Sequence, residues 1–245
     1  MDKSIVEYLS ESDIEKAIEI RATEETLLEF YGRGRIRGTI HTCVGSEISA
    51  VLIGKHLDHQ KDWLFTNHRG HGHFLSFNGS PDDLIREIFG KYNGPSKGVG
   101  GSQHIKKGNF FSSGIQGSQI PVAVGVAKSL KESEIQGICV VFFGDGTLGT
   151  GSLWESLNLA SVINVPIVFV CEDNQIAQST PSSITFAGDL ETRVRGFGID
   201  YLSVDTRIPN DKFELIRVKL SETREQKKPL FLHLRTERIN AHSKG

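Results

Sequence analysis

Two short apolar runs with a helix-length segment between them constrain this chain more than any other feature. Gly137-Ile-Cys-Val-Val-Phe-Phe143 and Val165-Pro-Ile-Val-Phe-Val-Cys171 are continuous and rich in β-branched and aromatic residues, the pattern of strands buried on both faces. Between them Leu153, Trp154, Leu157, Ala160 and Ile163 recur at three- and four-residue intervals, which predicts a helix. Strand, helix and strand in that order form a βαβ unit, so the carboxyl ends of both strands share one edge. Gly144-Asp145-Gly146 follows the first run and Glu172-Asp173-Asn174 the second. In an open parallel sheet that edge is where ligands bind.

Two chemistries compete for this edge. Gly144-x-Gly146-x-x-Gly149 after a strand and before a helix is formally a dinucleotide fingerprint. Asp145 argues against it, because a carboxylate beside a pyrophosphate is repelled in a partly dry site. A bridging divalent metal reverses that sign. Magnesium takes oxygen ligands in an octahedron, and a carboxylate, an amide oxygen and a backbone carbonyl from the Asn174 turn suit it, with phosphate oxygens and water completing the set. The segment favours a metal-bound diphosphate, with a nicotinamide cofactor or a purely structural turn as alternatives.

The rest of the chain fits a doubly wound, mostly parallel α/β sheet flanked by helices. Helices are expected over 13–30, capped by Ser12, over 45–57, and from Ser80-Pro81 onward. Further helices are expected over 121–130, 189–195 and 211–225, and strands over 201–204 and 229–234. Residues 90–120 hold eight glycines and little periodicity, and a loop that long inside a compact domain is usually functional. With 245 residues the chain reads as a single domain, 1–245, whose N-terminal helices within 1–60 pack on the α/β core.

Charge and composition exclude several partners. Lys plus Arg is 28 and Asp plus Glu is 30, so no basic field invites nucleic acid or an anionic membrane. No apolar run reaches membrane-spanning length and no signal peptide is visible. Cys43, Cys139 and Cys171 are far apart in sequence and read as reduced core residues, which fits a cytoplasmic protein.

Asn67-His68-Arg69-Gly70-His71-Gly72-His73 concentrates three imidazoles and a guanidinium. An arginine grips phosphate oxygens through paired hydrogen bonds and histidine adds a donor, so anion binding is favoured. The alternatives are a solvated loop or zinc, the latter disfavoured because no cysteine or acidic ligand has suitable spacing. The small-residue turns 98–104 and 114–119 allow close backbone approach to a ligand. His41 and His242 stand alone in the sequence.

Taken in order, six segments resemble one family. They are Gly38-Thr-Ile-His41 with Gly45-Ser46-Glu47, His68-Arg69-Gly70-His71-Gly72, Gly98 to His104, Gly114 to Gln119, Gly144-Asp145-Gly146 through Glu155, Asn158 and Ala160, and Glu172-Asp173-Asn174. Arg238-Ile-Asn-Ala-His242-Ser243 closes the series. The chain resembles the alpha subunit of the thiamine-diphosphate-dependent 2-oxo acid dehydrogenases, the first component of the pyruvate, branched-chain and acetoin type, shortened at the C-terminus.

The resemblance implies thiamine diphosphate and Mg2+ as cofactors. Asp145, Asn174 and the main-chain oxygen of Ile176 would bind the metal, and Arg69 would hold the diphosphate with His68, which replaces the family's usual tyrosine. Gly114, Ile115 and Gln116 would meet the aminopyrimidine through backbone, with Gly144, Gly146 and Thr147 near the phosphates. His41 and His242 match catalytic positions near the thiazolium. The substrate would be a pyruvate-like 2-oxo acid, decarboxylated with onward transfer of the acyl unit, for which a lipoyl acyltransferase is one recipient. The activating glutamate of such enzymes comes from a beta subunit in an alpha-two beta-two heterotetramer, so the chain alone would be inactive. Ser46, Gln103 and Asn240 depart from the family's usual glutamine, methionine and histidine. The last departure keeps open a split transketolase-like or acyloin-forming carboligase acting on a ketose or aldehyde.

Overall fold

Side chains alternate across the central strands and divide the core into two halves, one on each face of a single sheet. The computed structural model describes residues 7–244. Its elements are α1 (Glu11–Gly32), α2 (Glu47–Gly54), β1 (Trp63–Thr66), α3 (His71–Phe77), α4 (Pro81–Ile88), β2 (Lys106–Lys107), β3 (Phe110–Ser112), α5 (Ile120–Glu132), β4 (Cys139–Gly144), α6 (Gly151–Ile163), β5 (Ile167–Asp173), β6 (Ile176–Ala177), β7 (Thr180–Pro181), α7 (Leu190–Gly196), β8 (Asp200–Asp205), α8 (Lys212–Gln226) and β9 (Leu230–Arg235). Seven strands form the sheet in the order β2-β3-β1-β4-β5-β9-β8, parallel throughout except for the edge pair β2 and β3.

Val140 and Phe142 of β4, with Val168 and Val170 of β5 and Leu230, Leu232 and Leu234 of β9, pack against α1, α2, α3, α4 and α8. Cys139, Val141 and Phe143, with Ile167, Phe169 and Cys171, face α5, α6 and α7. This is the expected doubly wound α/β arrangement, with β4, α6 and β5 as its βαβ unit. All three cysteines are free and buried. Among the described residues no helix is long and apolar enough to cross a membrane.

Several element ends differ from expectation for local reasons. Helix α1 is capped by Ser10 and not Ser12: Ser10 Oγ accepts from the Asp13 amide at 3.2 Å and Asp13 Oδ2 accepts from the Ser10 amide at 3.0 Å. Helix α2 starts at Glu47, two residues late, because Gly45 sits at φ +102°, where a Cβ would lie 2.2 Å from the Glu237 carbonyl oxygen. That turn therefore packs directly on the chain leaving β9. The histidine segment is a strand exit followed by a short helix, α3, and not a loop. Within the glycine-rich stretch, β2 and β3 extend the sheet edge.

One buried side chain organises the remaining glycine turns. The fully buried Glu87 accepts the amides of Ser96 at 2.6 Å, Gly98 at 3.1 Å and Gly100 at 2.8 Å. Replacing Glu87 by alanine orphans these donors and is expected to cost about 3 kcal/mol or more in urea denaturation. Glu87→Gln keeps an acceptor oxygen and should cost less. Equal stability of wild type and Glu87→Ala would contradict this.

Candidate active site

The carboxyl ends of β1, β4, β5 and β9 open into one cleft of about 460 Å³. Strand β4 ends at Gly144, and a 3-10 turn over Asp145–Gly149 leads into α6. Beyond β5 the chain passes through Asn174 and Gln175, the latter at φ +65°, and returns along the β6–β7 hairpin. The hairpin lies so close over the turn that a Cβ at Gly146 would sit 2.7 Å from Ala177 Cβ. Asp145, Asn174 and Ile176 thus line one wall of the cleft with Gly144 and Gly146.

Asp145 is only 2% exposed and its Oδ2 accepts from Ser182 Oγ. Burial pushes its carboxyl above the usual carboxylate range. Among the described residues no ion pair reaches it. Asn174 Oδ1 accepts from the Ile176 amide at 3.1 Å. The Ile176 carbonyl receives Arg238 Nη1 at 3.4 Å, and Arg238 Nη2 donates to the Gln178 carbonyl at 2.9 Å.

Across the cleft, histidines far apart in sequence converge. The ring centroids of His41 and His68 lie 4.7 Å apart, those of His41 and His242 5.2 Å, and those of His68 and His242 5.8 Å. Arg69 sits among them, its Nη1 donating to the Thr42 carbonyl at 2.8 Å and its Nη2 to His242 Nδ1 at 2.9 Å and to the His242 carbonyl. Burial and the Arg238 charge lower the Arg69 guanidinium to about 10, so it remains cationic at neutral pH. Burial, then the Arg69 charge, pushes His41 down to about 4 and His68 to about 3, and lowers His242 as well. All three imidazoles are neutral at pH 7.

The other two histidines of the 67–73 run turn inward. His71 Nδ1 lies 3.1 Å from both oxygens of Glu24, and its Nε2 is 2.9 Å from the Ser102 carbonyl. His73 stacks on Phe142 with centroids 3.7 Å apart, its Nδ1 2.7 Å from Thr66 Oγ1 and its Nε2 3.3 Å from Glu172 Oε1. These two rings brace α3 against the core. The sequence run therefore divides: His68 and Arg69 reach the cleft and His71 and His73 do not.

Gly114 and Gln116 line the cleft, whereas the Ile115 side chain is 67% exposed. Thr147 is buried behind the lining, and its hydroxyl donates to Gln116 Oε1 at 2.7 Å. Eight further lining residues escaped the sequence reading as site residues, among them Arg238, Gln103 and Glu172. Glu172 is held by Ser49 Oγ and His73, contacts that no local pattern reveals. Arg238 had a signal, since it opens the closing motif four residues before His242.

The family model for the dehydrogenase E1 component matches residues 15–245. The alpha subunit of acetoin:2,6-dichlorophenolindophenol oxidoreductase from Bacillus subtilis is 34% identical over 235 residues, spanning 94% of this chain and 70% of the relative. Its counterpart from Cupriavidus necator is 36% identical over 230 residues, 92% of this chain and 69% of the relative. The alpha subunit of the Rickettsia bellii pyruvate dehydrogenase E1 component is 31% identical over 230 residues, 91% of this chain and 70% of the relative. The chain thus spans about 70% of the length of these relatives. Sheet, cleft and comparisons agree: the chain belongs to the dehydrogenase E1 component family of thiamine-diphosphate-dependent enzymes, on the side of its alpha subunits.

Proposed function

We propose that the cleft binds the Mg2+-diphosphate end of thiamine diphosphate and that the chain serves the decarboxylation of a pyruvate-like 2-oxo acid. The observation that carries this reading is Asp145, a buried carboxylate with a raised pKa and no ion-pair partner among the described residues. A divalent cation would relieve it. Asn174 Oδ1 and the Ile176 carbonyl complete an all-oxygen donor set of the kind magnesium prefers. Ser182 engages Asp145 Oδ2 alone and Arg238 occupies one lone pair of the Ile176 carbonyl, so each group keeps acceptor capacity for a metal.

Arg69 and His68 would hold diphosphate oxygens, the arginine as a charge and the neutral imidazole as a hydrogen-bond partner. Thr147 and Gln116 fix the turn beneath them. Thiamine diphosphate, when bound, supplies the electron sink that decarboxylation needs. His41 and His242 would face the reacting carbon and orient the substrate.

Completion of the site falls to a beta subunit in an alpha-two beta-two assembly, which would supply the activating glutamate. Asp145 and Glu172 are the carboxylates of the cleft wall, and Glu172 is already engaged by Ser49 and His73. Ile115 and Ile239, each beside a lining residue, are 67% and 58% exposed, apolar surface suited to burial under a partner.

A second reading draws on Asn240, which leaves the cleft for a small crevice lined with Ile40, Thr42 and Lys244. That position offers the cleft no acid–base group. It favours delivery of the acyl unit to an aldehyde, a carboligase, over delivery to a lipoyl group.

Calorimetry with the chain and its beta partner tests the cofactor. Thiamine diphosphate is expected to bind with Mg2+ present and only weakly without it. Binding of NADH by the chain alone, with none of thiamine diphosphate, would return the glycine turn to the dinucleotide reading. Acetoin from pyruvate plus acetaldehyde would identify the carboligase branch.

A further inference from the structure

The three cleft histidines differ from an ordinary imidazole cluster in what holds them. His41 Nδ1 lies 3.2 Å from Gln103 Nε2, His68 Nδ1 3.4 Å from Gln116 Nε2, and His242 Nδ1 2.9 Å from Arg69 Nη2 and 3.4 Å from Arg238 Nη1. Amide and guanidinium nitrogens donate and never accept. The guanidiniums leave His242 Nδ1 no role but acceptor, and the amide nitrogens of Gln103 and Gln116 face His41 and His68 Nδ1 in the same way, so the proton of each neutral ring is assigned to Nε2.

The amide of Gln116 places its Oε1 2.7 Å from Thr147 Oγ1, with its NH2 group facing His68. For His242 no amide assignment enters, since a guanidinium has only donors. None of the three Nε2 atoms has a protein partner among the described residues. All three rings line the cleft beside Arg69 and Arg238.

This arrangement decides between two ligand classes. Nitrogen atoms of His41, His68 and His242 lie within 4.8 Å of one another, close enough to suggest a metal site. A metal needs lone pairs, however, and those on Nδ1 already accept from side-chain donors while each Nε2 carries its proton. Two guanidiniums beside the cluster repel a cation further. An oxygen acceptor suits all these groups at once.

We propose that Gln103, Gln116 and the Arg69–Arg238 pair are positioning residues that hold His41, His68 and His242 in the Nε2–H tautomer, making the cluster an uncharged donor face for oxyanions, His68 toward the diphosphate and His41 and His242 toward the substrate. Donors of this kind stabilise charge that develops on a carboxylate or carbonyl oxygen, and they need not move or titrate to do so. A ring locked in this form cannot take a proton at Nε2, so none of the three serves as general base through that atom. Gln103 holds His41 through a single side-chain amide hydrogen bond, whose sense one substitution should invert.

The test is long-range 1H–15N correlation spectroscopy on the full chain labelled at histidine, which distinguishes protonated from bare ring nitrogens. His41, His68 and His242 are expected with Nδ1 bare and Nε2 protonated. Gln103→Met removes the donor and should let His41 populate both tautomers, shifting the ratio by about fivefold, the worth of one ordinary hydrogen bond. Gln103→Glu places an acceptor against Nδ1 and should invert His41 alone. His71, bonded to Glu24 in the core, reports in the same spectra that the fold is intact.

Nδ1–H on His41 in the wild type, or an unchanged His41 in folded Gln103→Glu, overturns the positioning role. Pyruvate is expected to move the His41 and His242 Nε2–H signals together, and a titration that moves neither overturns the donor face. Cobalt(II) should give no visible ligand-field band, and a band abolished by His68→Gln would establish a metal site instead. The substrate part of the inference rests on the proposed function. Failure of thiamine diphosphate to bind strikes that function and leaves the tautomers, whereas inverted tautomers with binding retained strike this inference.

Discussion

Asp145→Ala is expected to abolish Mg2+-dependent retention of thiamine diphosphate, weakening binding by at least about 100-fold, the upper range seen when even an outer contact of a metal site is lost. The size of the effect follows from chemistry and place. Asp145 is the only charged member of the proposed donor set with Asn174 and the Ile176 carbonyl, and it lies 2% exposed at the exit of β4. No neighbouring carboxylate on the cleft wall is free to replace it, since Glu172 is held by Ser49 and His73. Calorimetry with and without Mg2+ in the beta-partnered assembly reads the loss.

A companion result separates metal binding from simple damage. Asp145→Asn keeps shape and the Ser182 contact but removes a desolvated charge that no ion pair reaches among the described residues. The metal-free protein should therefore become more stable as it loses cofactor, the exchange expected where function requires a costly buried group. Unchanged cofactor retention in both variants would remove Asp145 from the metal site.

Glu24→Gln is expected to cost about 3–5 kcal/mol near pH 6, the usual result of breaking a buried ion pair from one side. Glu24 and His71 are both fully buried. Burial opposes the charge on each, yet their mutual attraction and hydrogen bonds outweigh it, so the Glu24 carboxyl is lowered and the His71 imidazole raised. The sign of the pH dependence follows. The raised His71 contributes stability fully present below its ordinary value of 6.5 and lost as pH rises through the higher folded value. The lowered Glu24 contributes stability present above its ordinary 4.5 and lost as pH falls through the lower folded value.

The gap between wild type and Glu24→Gln should thus be widest between about pH 4.5 and 6.5 and narrow on the alkaline side. Urea denaturation at a series of pH values measures it. A gap constant from pH 5 to 9 would mean that the pair is not ionised. The pair also fixes the cleft indirectly, because Glu24 Oε1 accepts the Cys43 amide at 2.9 Å, two residues after His41, and His71 reaches Ser102, next to Gln103.

How much could be read from the sequence varies by element. The strand at 137–143, the helix after it and the strand at 165–171 were legible because their signals are local: burial on both faces gives an unbroken apolar run, and one buried helical stripe gives the 3.6-residue period. The Ser80-Pro81 start of α4 was legible for a similar reason, since Ser80 Oγ does accept the Asp83 amide at 3.2 Å. β2 and β3 were not, being two and three residues long among glycines. In α3 the residues from His71 to Leu75 are all buried, so no alternating or helical stripe marked it.

The candidate site shows the same division. By itself the sequence determined that the chain carries a parallel α/β edge with Gly144-Asp145-Gly146 and Asn174 on it, because strand order and residue spacing along one βαβ unit dictate which groups share an edge. Tertiary structure alone decided which of the seven-residue histidine cluster face that edge. It set His71 and His73 into the core against Glu24 and Glu172, and brought His41, His68 and His242 together from three distant segments. It also supplied Gln103, Gln116 and Arg69 as their partners, which no spacing could announce. The physical reason is range: hydrophobic period and strand succession are written within tens of residues, whereas a converging set of rings and donors exists only once the sheet has closed the distance between them.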